Sequence, residues 1–132
     1  MKIYNTYSRQ LEDFQPIEPG KVKMYVCGPT VYNYIHVGNA RSVVAFDLVR
    51  KYLEFRGFEV QYISNFTDVD DKIINGAKAA NMTTTDFSER YIAAFYEDTD
   101  ALNVKRASQN PKATEFIEAM IEFIQEDRKS VV

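Results

Sequence analysis

The sequence predicts an α/β fold built on parallel strands, and three segments carry that prediction. Residues 22–27, VKMYVC, form a short apolar run rich in β-forming residues between two glycines. Residues 40–56 place apolar side chains at three- and four-residue spacing, which is typical of an amphipathic helix. Residues 59–65, EVQYISN, form a second strand-like run. Strand, helix and strand in this order predict a right-handed βαβ unit, whose two strands are parallel.

The elements of the first half each have local signals. Residues 28–39, GPTVYNYIHVGN, contain the Gly, Pro and Asn that mark a loop. Gly57 is the expected C-terminal stop of the helix that follows. Lys2–Asn5 is a candidate for a third strand. The helix should present one apolar face, of the kind that packs on a core; its members are Ala45, Leu48, Val49, Tyr52 and Leu53.

The second half is predicted to be helical. Residues 71–80 form a short helix, and a threonine among residues 83–85 caps a longer one that ends near Leu102. Asn110 and Pro111 should open another helix, with Asn as cap and Pro in the first turn. Residues 1–70 are therefore predicted as a βαβ half, and residues 71–132 as a helical segment that connects onward. The apolar face of the last helix consists of Phe116, Met120, Phe123 and Ile124.

Composition narrows the class of protein. The chain has 132 residues, 45% of them apolar, and a formal net charge of -3. This charge argues against a dedicated polyanion-binding domain, which is normally basic. No apolar run approaches the roughly 20 residues that span a bilayer, and the N-terminus does not resemble a signal peptide, so we expect a cytoplasmic protein. Cys27 is the sole cysteine, and a lone cysteine is most often a small buried apolar residue.

The candidate functional residues follow the two predicted strands. Parallel strands end at one edge of a sheet, and ligands bind there. The loop leads into a helix N-terminus, where unpaired backbone N–H groups favour an anion, and His36, Gly38 and Asn39 stand at this point. An ordinary helix start, with Asn39 as cap and an incidental His36, explains the same residues equally well. Because neither G-x-G-x-x-G nor G-x-x-x-x-G-K-[ST] occurs, a dinucleotide-binding or P-loop site is disfavoured.

Longer stretches resemble a known family. H-V-G-N at 36–39 looks like the "HIGH" signature of class I aminoacyl-tRNA synthetases. Residues 24–41, MYVCGPTVYNYIHVGNAR, resemble the cysteinyl-tRNA synthetase branch, as do residues 64–74, SNFTDVDDKII, and residues 98–114. The cysteine ligase of mycothiol biosynthesis is the nearest relative outside that branch. The resemblance implies a partial Rossmann-like sheet of the HIGH-type nucleotidyl transferases, with flanking helices and a helical C-terminal segment.

The resemblance also implies a site. Thr30, His36, Gly38 and Asn39 match ATP-binding positions, and His36 and Asn39 would be catalytic by stabilising charge on the phosphates. The implied activity is the ATP-dependent activation of L-cysteine and its transfer to tRNA(Cys), with Mg²⁺ accompanying ATP. Cys27 matches a ligand of a zinc ion that binds the substrate thiolate, since zinc is thiophilic. The implied cysteine-binding residues are Cys27, Gly28, Thr67 and Asp70.

The chain departs from the family in several ways. Asn39 replaces the second His of "HIGH", the K-M-S-K-S loop is missing, and the other Cys, His and Glu ligands of zinc do not occur. We therefore expect a fragment that is inactive alone and that self-associates through an exposed sheet edge. Two alternatives stay open: a non-catalytic nucleotide-binding or regulatory module, and the mycothiol-pathway ligase. For Asp68, Asp70 and Asp71, contact with the substrate ammonium and helix capping are both open.

Overall fold

The computed structural model describes residues 1–130; Val131 and Val132, which the predicted helical segment included, lie outside the described residues. In the described part, no helix is both long enough and apolar enough to cross a membrane. Residues 1–130 form four strands, four α-helices and one 3-10 turn. In order, these are β1 Lys2–Asn5, β2 Gln10–Asp13, β3 Lys21–Tyr25, α1 Val37–Phe55, β4 Glu59–Ile63, α2 Asp71–Ala80, α3 Thr84–Ala101, the turn Ala113–Phe116 and α4 Ile117–Ser130.

The predicted βαβ unit is confirmed. β3 and β4 pair in parallel, from Lys21 opposite Glu59 to Tyr25 opposite Ile63, and α1 makes the crossover. The alternating burial of β4 agrees with a strand that has one face on the core. The parallel pairing brings the C-terminal ends of both strands to the same edge of the sheet.

A segment that the sequence does not mark as a strand lies along the outer edge of β4. Residues 108–113 run parallel to it: the Ser108 amide donates to the Tyr62 carbonyl at 2.7 Å, and the Pro111 carbonyl accepts from the Phe66 amide at 2.8 Å. These bonds satisfy backbone groups that would otherwise be buried without partners. β4 is thus flanked on both sides, by β3 on one and by residues 108–113 on the other.

The prediction that Asn110 and Pro111 open a helix is wrong, since the last helix begins at Ile117. The Asn110 side chain caps no helix. Its amide donates to the Ser64 carbonyl at 2.6 Å, and its oxygen accepts from the Tyr96 hydroxyl at 3.0 Å. Long-range pairing with the sheet therefore overrides the local Asn-Pro signal.

The N-terminal strand forms a separate unit. Lys2–Asn5 pairs antiparallel with Gln10–Asp13 and does not join the parallel sheet. β2 has the sequence QLED, which gives no apolar pattern, and its side chains are exposed. Phe14, just after it, packs edge-on against Phe58 and ties the hairpin to the small core of Val22, Leu53 and Val60.

Helix α1 packs a largely polar side on the rest of the chain, and not the apolar side that the sequence predicts. Of the five apolar residues predicted to pack, Leu53 alone is buried, whereas Leu48 is 67% exposed. The buried side carries Asp47 and Arg50 instead, which hold the loop after α3. The apolar periodicity identified the helix correctly and its packed face wrongly.

The helices after β4 agree more closely with the sequence. α2 has the predicted bounds 71–80, and Thr83 caps α3, accepting from the Asp86 amide at 3.0 Å. α2 and α3 pack against each other, and their side chains form the main core together with Val31 and Phe66. That core consists of Val31, Phe66, Ile73, Ala77, Phe87 and Ile92.

Candidate active site at the strand ends

His36 begins helix α1 as its N-cap. Its Nδ1 accepts a hydrogen bond from the Gly38 amide at 3.1 Å. The cap is thus His36, and Asn39, which the alternative interpretation assigned to capping, lies in the first turn with its side chain exposed. The helix starts three residues earlier than predicted, because the His side chain satisfies one of the free amides.

This cap fixes the chemistry of the imidazole. A nitrogen that accepts a hydrogen bond carries no proton, so in this geometry Nδ1 of His36 is bare. The proton of the neutral ring is then on Nε2, which makes Nε2–H a donor. His36 is exposed, so this donor is available to a ligand at the positive end of the helix. A Cβ at Gly38 would meet the His36 ring alone, at 3.3 Å from Nδ1, so the space beside the backbone is otherwise open.

Cys27 and Gly28 lie at the end of β3, against the end of β4. A Cβ at Gly28 would lie 1.7 Å from the Asn65 carbonyl oxygen, so no larger residue fits without moving a strand. Cys27 is exposed, which excludes the usual buried role of a lone cysteine. The pairing continues beyond these residues, where Thr30 is opposite Thr67. The structure therefore brings the predicted residues Cys27, Gly28, Thr30 and Thr67 to one rim of the sheet.

Asn65 ties this rim together, and sequence reasoning missed its role. Its side-chain oxygen accepts from the Gly28 amide at 3.1 Å and from the Tyr25 hydroxyl at 2.8 Å. Its amide group donates to the Thr67 hydroxyl at 3.4 Å. One side chain thus contacts both strand ends. A polar residue at the end of a buried parallel strand was the available signal.

Two open cavities meet at the start of α1. One, of about 330 Å³, is lined by Thr30, His36 and Asn39 together with aromatic residues of the loop and α3. The other, of about 220 Å³, includes Cys27, Gly28 and again Asn39. Asn39 therefore stands between the predicted ATP residues and the predicted cysteine residues. Within the part of the chain that the structure describes, neither Thr67 nor Asp70 lines either of these two cavities.

Aromatic rings form a wall of the cavity that includes Cys27. Tyr62 and Tyr96 both contribute, and burial raises the pKa of each phenol, so both stay neutral near pH 7. The Arg106 guanidinium lies 4.5 Å above the Tyr96 ring and pairs with Asp100 at 2.6 Å. Aromatic rings thus line this cavity together with polar and charged side chains, Arg106 among them.

The three carboxylates after Thr67 separate into different roles. Asp68 is buried and accepts from the Thr114 amide at 3.0 Å and from its hydroxyl, which anchors the 3-10 turn. Asp70 is the N-cap of α2 and accepts from the Lys72 amide at 2.8 Å. Asp71 is exposed in the first turn of α2. Of the two interpretations left open, capping describes Asp70 in this structure.

The residues of this chain alone do not fit a zinc site. Catalytic zinc takes three protein ligands and leaves one position for substrate. The sequence has one cysteine and one histidine, and Nδ1 of His36 is already engaged with the Gly38 amide. Within the described residues, no three His, Cys, Asp or Glu side chains come together as a metal site. Cys27 supplies a single exposed thiol.

Comparisons with known proteins agree with this architecture. The model of the tRNA synthetase class I (C) catalytic domain matches residues 13–130. A cysteine–tRNA ligase of Lactococcus lactis subsp. cremoris is 90% identical over 126 residues, which are 96% of this chain and 28% of that protein. The cysteine–tRNA ligase of Latilactobacillus sakei is 60% identical over 126 residues, 27% of its length. The chain thus spans little more than a quarter of the relatives that it matches.

A solved structure confirms the fold. Methionyl-tRNA synthetase of Mycobacterium tuberculosis, in complex with methionyl-adenylate, superposes with a TM-score of 0.66 at 19% identity. The match covers 71% of this chain and 18% of that one. The predicted partial Rossmann-like α/β architecture is therefore confirmed. The family match extends over nearly the whole chain, so the chain belongs to the family of class I (C) tRNA synthetase catalytic domains.

Proposed function

We propose that this chain forms the front part of the catalytic centre of a cysteine–tRNA ligase, which activates cysteine with ATP and transfers it to tRNA. The observation that carries this proposal is the rim of the sheet, where Cys27 and Gly28 lie beside the end of β4 and share a cavity with Asn39. The relatives that bear the name cysteine–tRNA ligase support the choice of amino acid. They also favour tRNA over an amino-sugar as acceptor, and thus argue against the mycothiol-pathway alternative.

ATP is assigned to the start of helix α1. The proposed ligands are Thr30, His36, Gly38 and Asn39, three of which line one cavity. Nε2–H of His36 and the amide of Asn39 donate to phosphate oxygens, where the helix N-terminus also favours negative charge. Since Nδ1 of His36 accepts from Gly38, the ring is held in the orientation that directs Nε2–H outward. Mg²⁺ accompanies ATP as part of the substrate.

Cysteine is assigned to Cys27, Gly28, Thr67 and Asp70. The exposed Cys27 thiol is proposed as one zinc ligand, with the other ligands supplied from outside this chain. Bound zinc would select a thiolate over the hydroxyl of serine. Thr67, whose hydroxyl accepts from Asn65, is proposed to line the amino-acid side of the rim. Asp70, one oxygen of which caps α2, is proposed to bind the substrate ammonium.

The reaction has two steps. The cysteine carboxylate oxygen attacks the α-phosphorus of ATP, the bond to the bridging oxygen breaks, and pyrophosphate leaves. A hydroxyl of the terminal ribose of tRNA then attacks the aminoacyl carbonyl, and AMP leaves. His36 and Asn39 stabilise the charge that develops on the phosphate oxygens in the first step, which is electrostatic catalysis.

The proposal extends to organisation and location. Residues 1–70 are proposed as the nucleotide- and cysteine-binding half, and residues 71–132 are assigned the connecting role, although residues 108–113 of that segment pair with the sheet. We place the protein in the cytoplasm. Because the chain spans little more than a quarter of the length of its relatives, we expect that the isolated chain does not catalyse cysteine-dependent exchange of pyrophosphate into ATP.

A chimeric enzyme tests the function directly. The 126 matched residues of the Lactococcus lactis ligase are replaced by those of this chain, which differ at about a tenth of positions. We expect the chimera to exchange pyrophosphate into ATP with cysteine and to charge tRNA. A folded chimera without activity would refute the proposal and favour the non-catalytic module. Activity of the isolated chain would refute the expectation that this chain alone is not a complete catalytic site.

Variants in the chimera test the residue assignments. Thr67→Val should raise the KM for cysteine about tenfold, whereas Thr85→Val, an equal change in an exposed helical turn, should leave it unchanged. His36→Ala should lower kcat about 100-fold, with a smaller effect on the KM for cysteine. Equal effects of the two threonine changes, or an unchanged kcat without His36, would refute these roles.

A further inference from the structure

The half-buried side chain of Asn65 has a determined orientation. The Gly28 amide can only donate, so the Asn65 atom that lies 3.1 Å from it must be the oxygen. The Tyr25 hydroxyl donates to the same oxygen at 2.8 Å. The amide group of Asn65 is therefore directed toward Thr67 and reaches the hydroxyl oxygen of that residue at 3.4 Å. The contacts of the Asn65 oxygen thus decide where its nitrogen donates.

The main chain around Asn65 is held from the other side of β4. The amides of its two neighbours, Ser64 and Phe66, donate to the Gln109 and Pro111 carbonyls at 3.2 and 2.8 Å. Asn65 is therefore fixed through its backbone as well as through its side-chain oxygen. A residue supported in this way can hold a second residue in one position at a binding site.

The Thr67 side chain has one degree of freedom that matters here. The Thr67 amide donates to the Pro29 carbonyl at 3.0 Å, and its carbonyl accepts from the Val31 amide at 3.1 Å. These bonds fix the main chain, so what remains is the choice among three staggered side-chain positions. The bond from Asn65 stabilises the position in which the Thr67 oxygen faces the amide group. Because the oxygen accepts there, the Thr67 hydrogen is left to be donated to another group.

We propose, on the basis of the function proposed above, that Asn65 is a positioning residue of the cysteine site. Asn65 holds the Thr67 hydroxyl so that Thr67 donates its hydrogen to an acceptor atom of cysteine and does not accept from the ammonium group. Asn65 itself acts through Thr67 and need not touch the substrate. The direction of this hydrogen bond, and with it the part of cysteine that Thr67 recognises, is thus set by a residue two positions earlier on the same strand end.

Asn65→Asp in the chimeric ligase tests the direction of the bond. The carboxylate still accepts from Gly28 and Tyr25, so the strand ends stay joined, but it cannot donate to Thr67. It accepts from Thr67 instead, and the Thr67 hydrogen turns away from the substrate. The KM for cysteine should rise about fivefold, while the KM for ATP and kcat each change less than about twofold. If Thr67 accepted from the ammonium, the new carboxylate would leave the KM for cysteine unchanged or lower it, and the proposal would be wrong.

A double-mutant cycle separates the effect on Thr67 from an effect of the new charge. On the Thr67→Val background, Asn65→Asp should change the KM for cysteine less than about twofold, because the hydroxyl through which Asn65 acts is gone. A rise as large as on the threonine background would mean that the charge itself repels the substrate, and would overturn the proposal. Asn75→Asp, the same change at an exposed position of α2, is the matched control and should leave both KM values unchanged.

Tyr25→Phe gives a second variant, which keeps Asn65 and adds no charge. Tyr25 is 65% exposed, so removal of its hydroxyl should leave the fold intact. The Asn65 oxygen then keeps Gly28 as its donor, and its amide group is held less firmly against Thr67. The KM for cysteine should rise about threefold, and the Thr67→Val background should abolish this rise. This variant decides the matter if Asn65→Asp does not fold, and an unchanged KM for cysteine would overturn the proposal.

The unsubstituted chimera distinguishes failure of the function from failure of this role. A folded but inactive chimera refutes the function and the role of Asn65 together. An active chimera in which Asn65→Asp and Tyr25→Phe both leave the KM for cysteine unchanged refutes the role of Asn65 alone. An active chimera in which both changes raise that KM, and in which Thr67→Val removes both effects, supports the role.

Discussion

Removing the buried guanidinium of Arg50 should cost the chain a large part of its stability. The Arg50 side chain is 5% exposed and donates to the Arg106 carbonyl at 2.7 Å and to the Glu54 carboxylate at 3.1 Å. Its guanidinium also lies 5.4 Å from the centre of the Tyr62 ring. Arg50→Met keeps most of the aliphatic volume and removes the charge and all these donors. The change therefore isolates the polar clamp between α1 and the loop after α3.

The expected loss follows from these contacts. A hydrogen bond that involves a charged group contributes about 1.5–3 kcal/mol, and removing one partner of a buried charged pair costs about 3–5 kcal/mol. Glu54 keeps Lys105 as a partner at 2.8 Å, so it is not left alone, and we expect about 3 kcal/mol. A domain of this size has a total unfolding free energy of about 5–15 kcal/mol.

Urea unfolding followed by circular dichroism measures the effect. With a slope of about 2 kcal/mol per molar urea, a loss of about 3 kcal/mol lowers the midpoint by about 1.5 M. Arg56→Met is the matched control: Arg56 directly follows the same helix and is exposed, and its side chain bonds the Tyr52 hydroxyl. Its change should stay within about 0.5 kcal/mol. If the two variants unfolded at the same urea concentration, the clamp would contribute nothing and the reasoning would be wrong.

Three further predictions concern other parts of the fold. Gly28→Ala should displace the strand end that Asn65 contacts, lower the free energy of unfolding by more than about 2 kcal/mol, and be seen in urea unfolding. The Lys105 bond lowers the pKa of Glu54 below its ordinary 4.5. The free energy of unfolding of the wild type should therefore be about 1 kcal/mol higher than that of Glu54→Gln at pH 7. Urea unfolding measured at several pH values should show this difference vanish as the pH falls below the pKa of Glu54 in the folded state. Thr83→Ala should cost about 1 kcal/mol by calorimetry, since the cap of α3 is lost.

Each of these predictions has a result that contradicts it. Gly20→Ala provides a comparison for Gly28→Ala, because a Cβ at Gly20 meets no atom but requires a positive φ; a larger loss at Gly20 would contradict the steric argument. A Glu54→Gln difference that grows in acid has the wrong sign for a carboxylate with a lowered pKa. Thr85→Ala, in the first turn of the same helix, should cost less than Thr83→Ala, and the reverse order would rule out the cap.

The elements that the sequence predicts well are those with strong local signals. α2 and the Thr83 cap follow from turn chemistry and spacing, and the βαβ unit follows from two apolar runs and a helix between them. Asn110 and Pro111 show the limit. Their local preference for a helix start is outweighed because backbone groups at the end of β4 need hydrogen-bond partners. The Ser64 carbonyl, which accepts from the Asn110 side chain, lies 46 residues earlier in the chain. No local pattern contains this information.

The site divides in the same way. The strand ends placed Cys27, Gly28, Thr30 and Thr67 together, as parallel topology requires. The role of Asn65 depends on hydrogen bonds across the two strands, which no spacing along the chain reveals. For α1, periodicity cannot tell which side of a helix packs inside when a buried Asp and Arg bind a distant loop. The apolar side of α1 was expected to pack on the core. The buried Asp47 and Arg50 turn that side toward solvent instead.

Residues 108–113, which lie along the outer side of β4, also set when the rim of the sheet can be completed during folding. β3 and β4 pair across 38 residues, from Lys21 to Glu59, and residues 108–113 pair with the β4 side across a similar 46 residues, from Ile63 to Gln109, with α2 and α3 between them in the chain. Both pairings join residues that are distant in sequence, and contacts of this kind slow folding. During synthesis, β4 therefore leaves the ribosome with one edge bare, and the rim reaches its final form only when residue 113 has emerged.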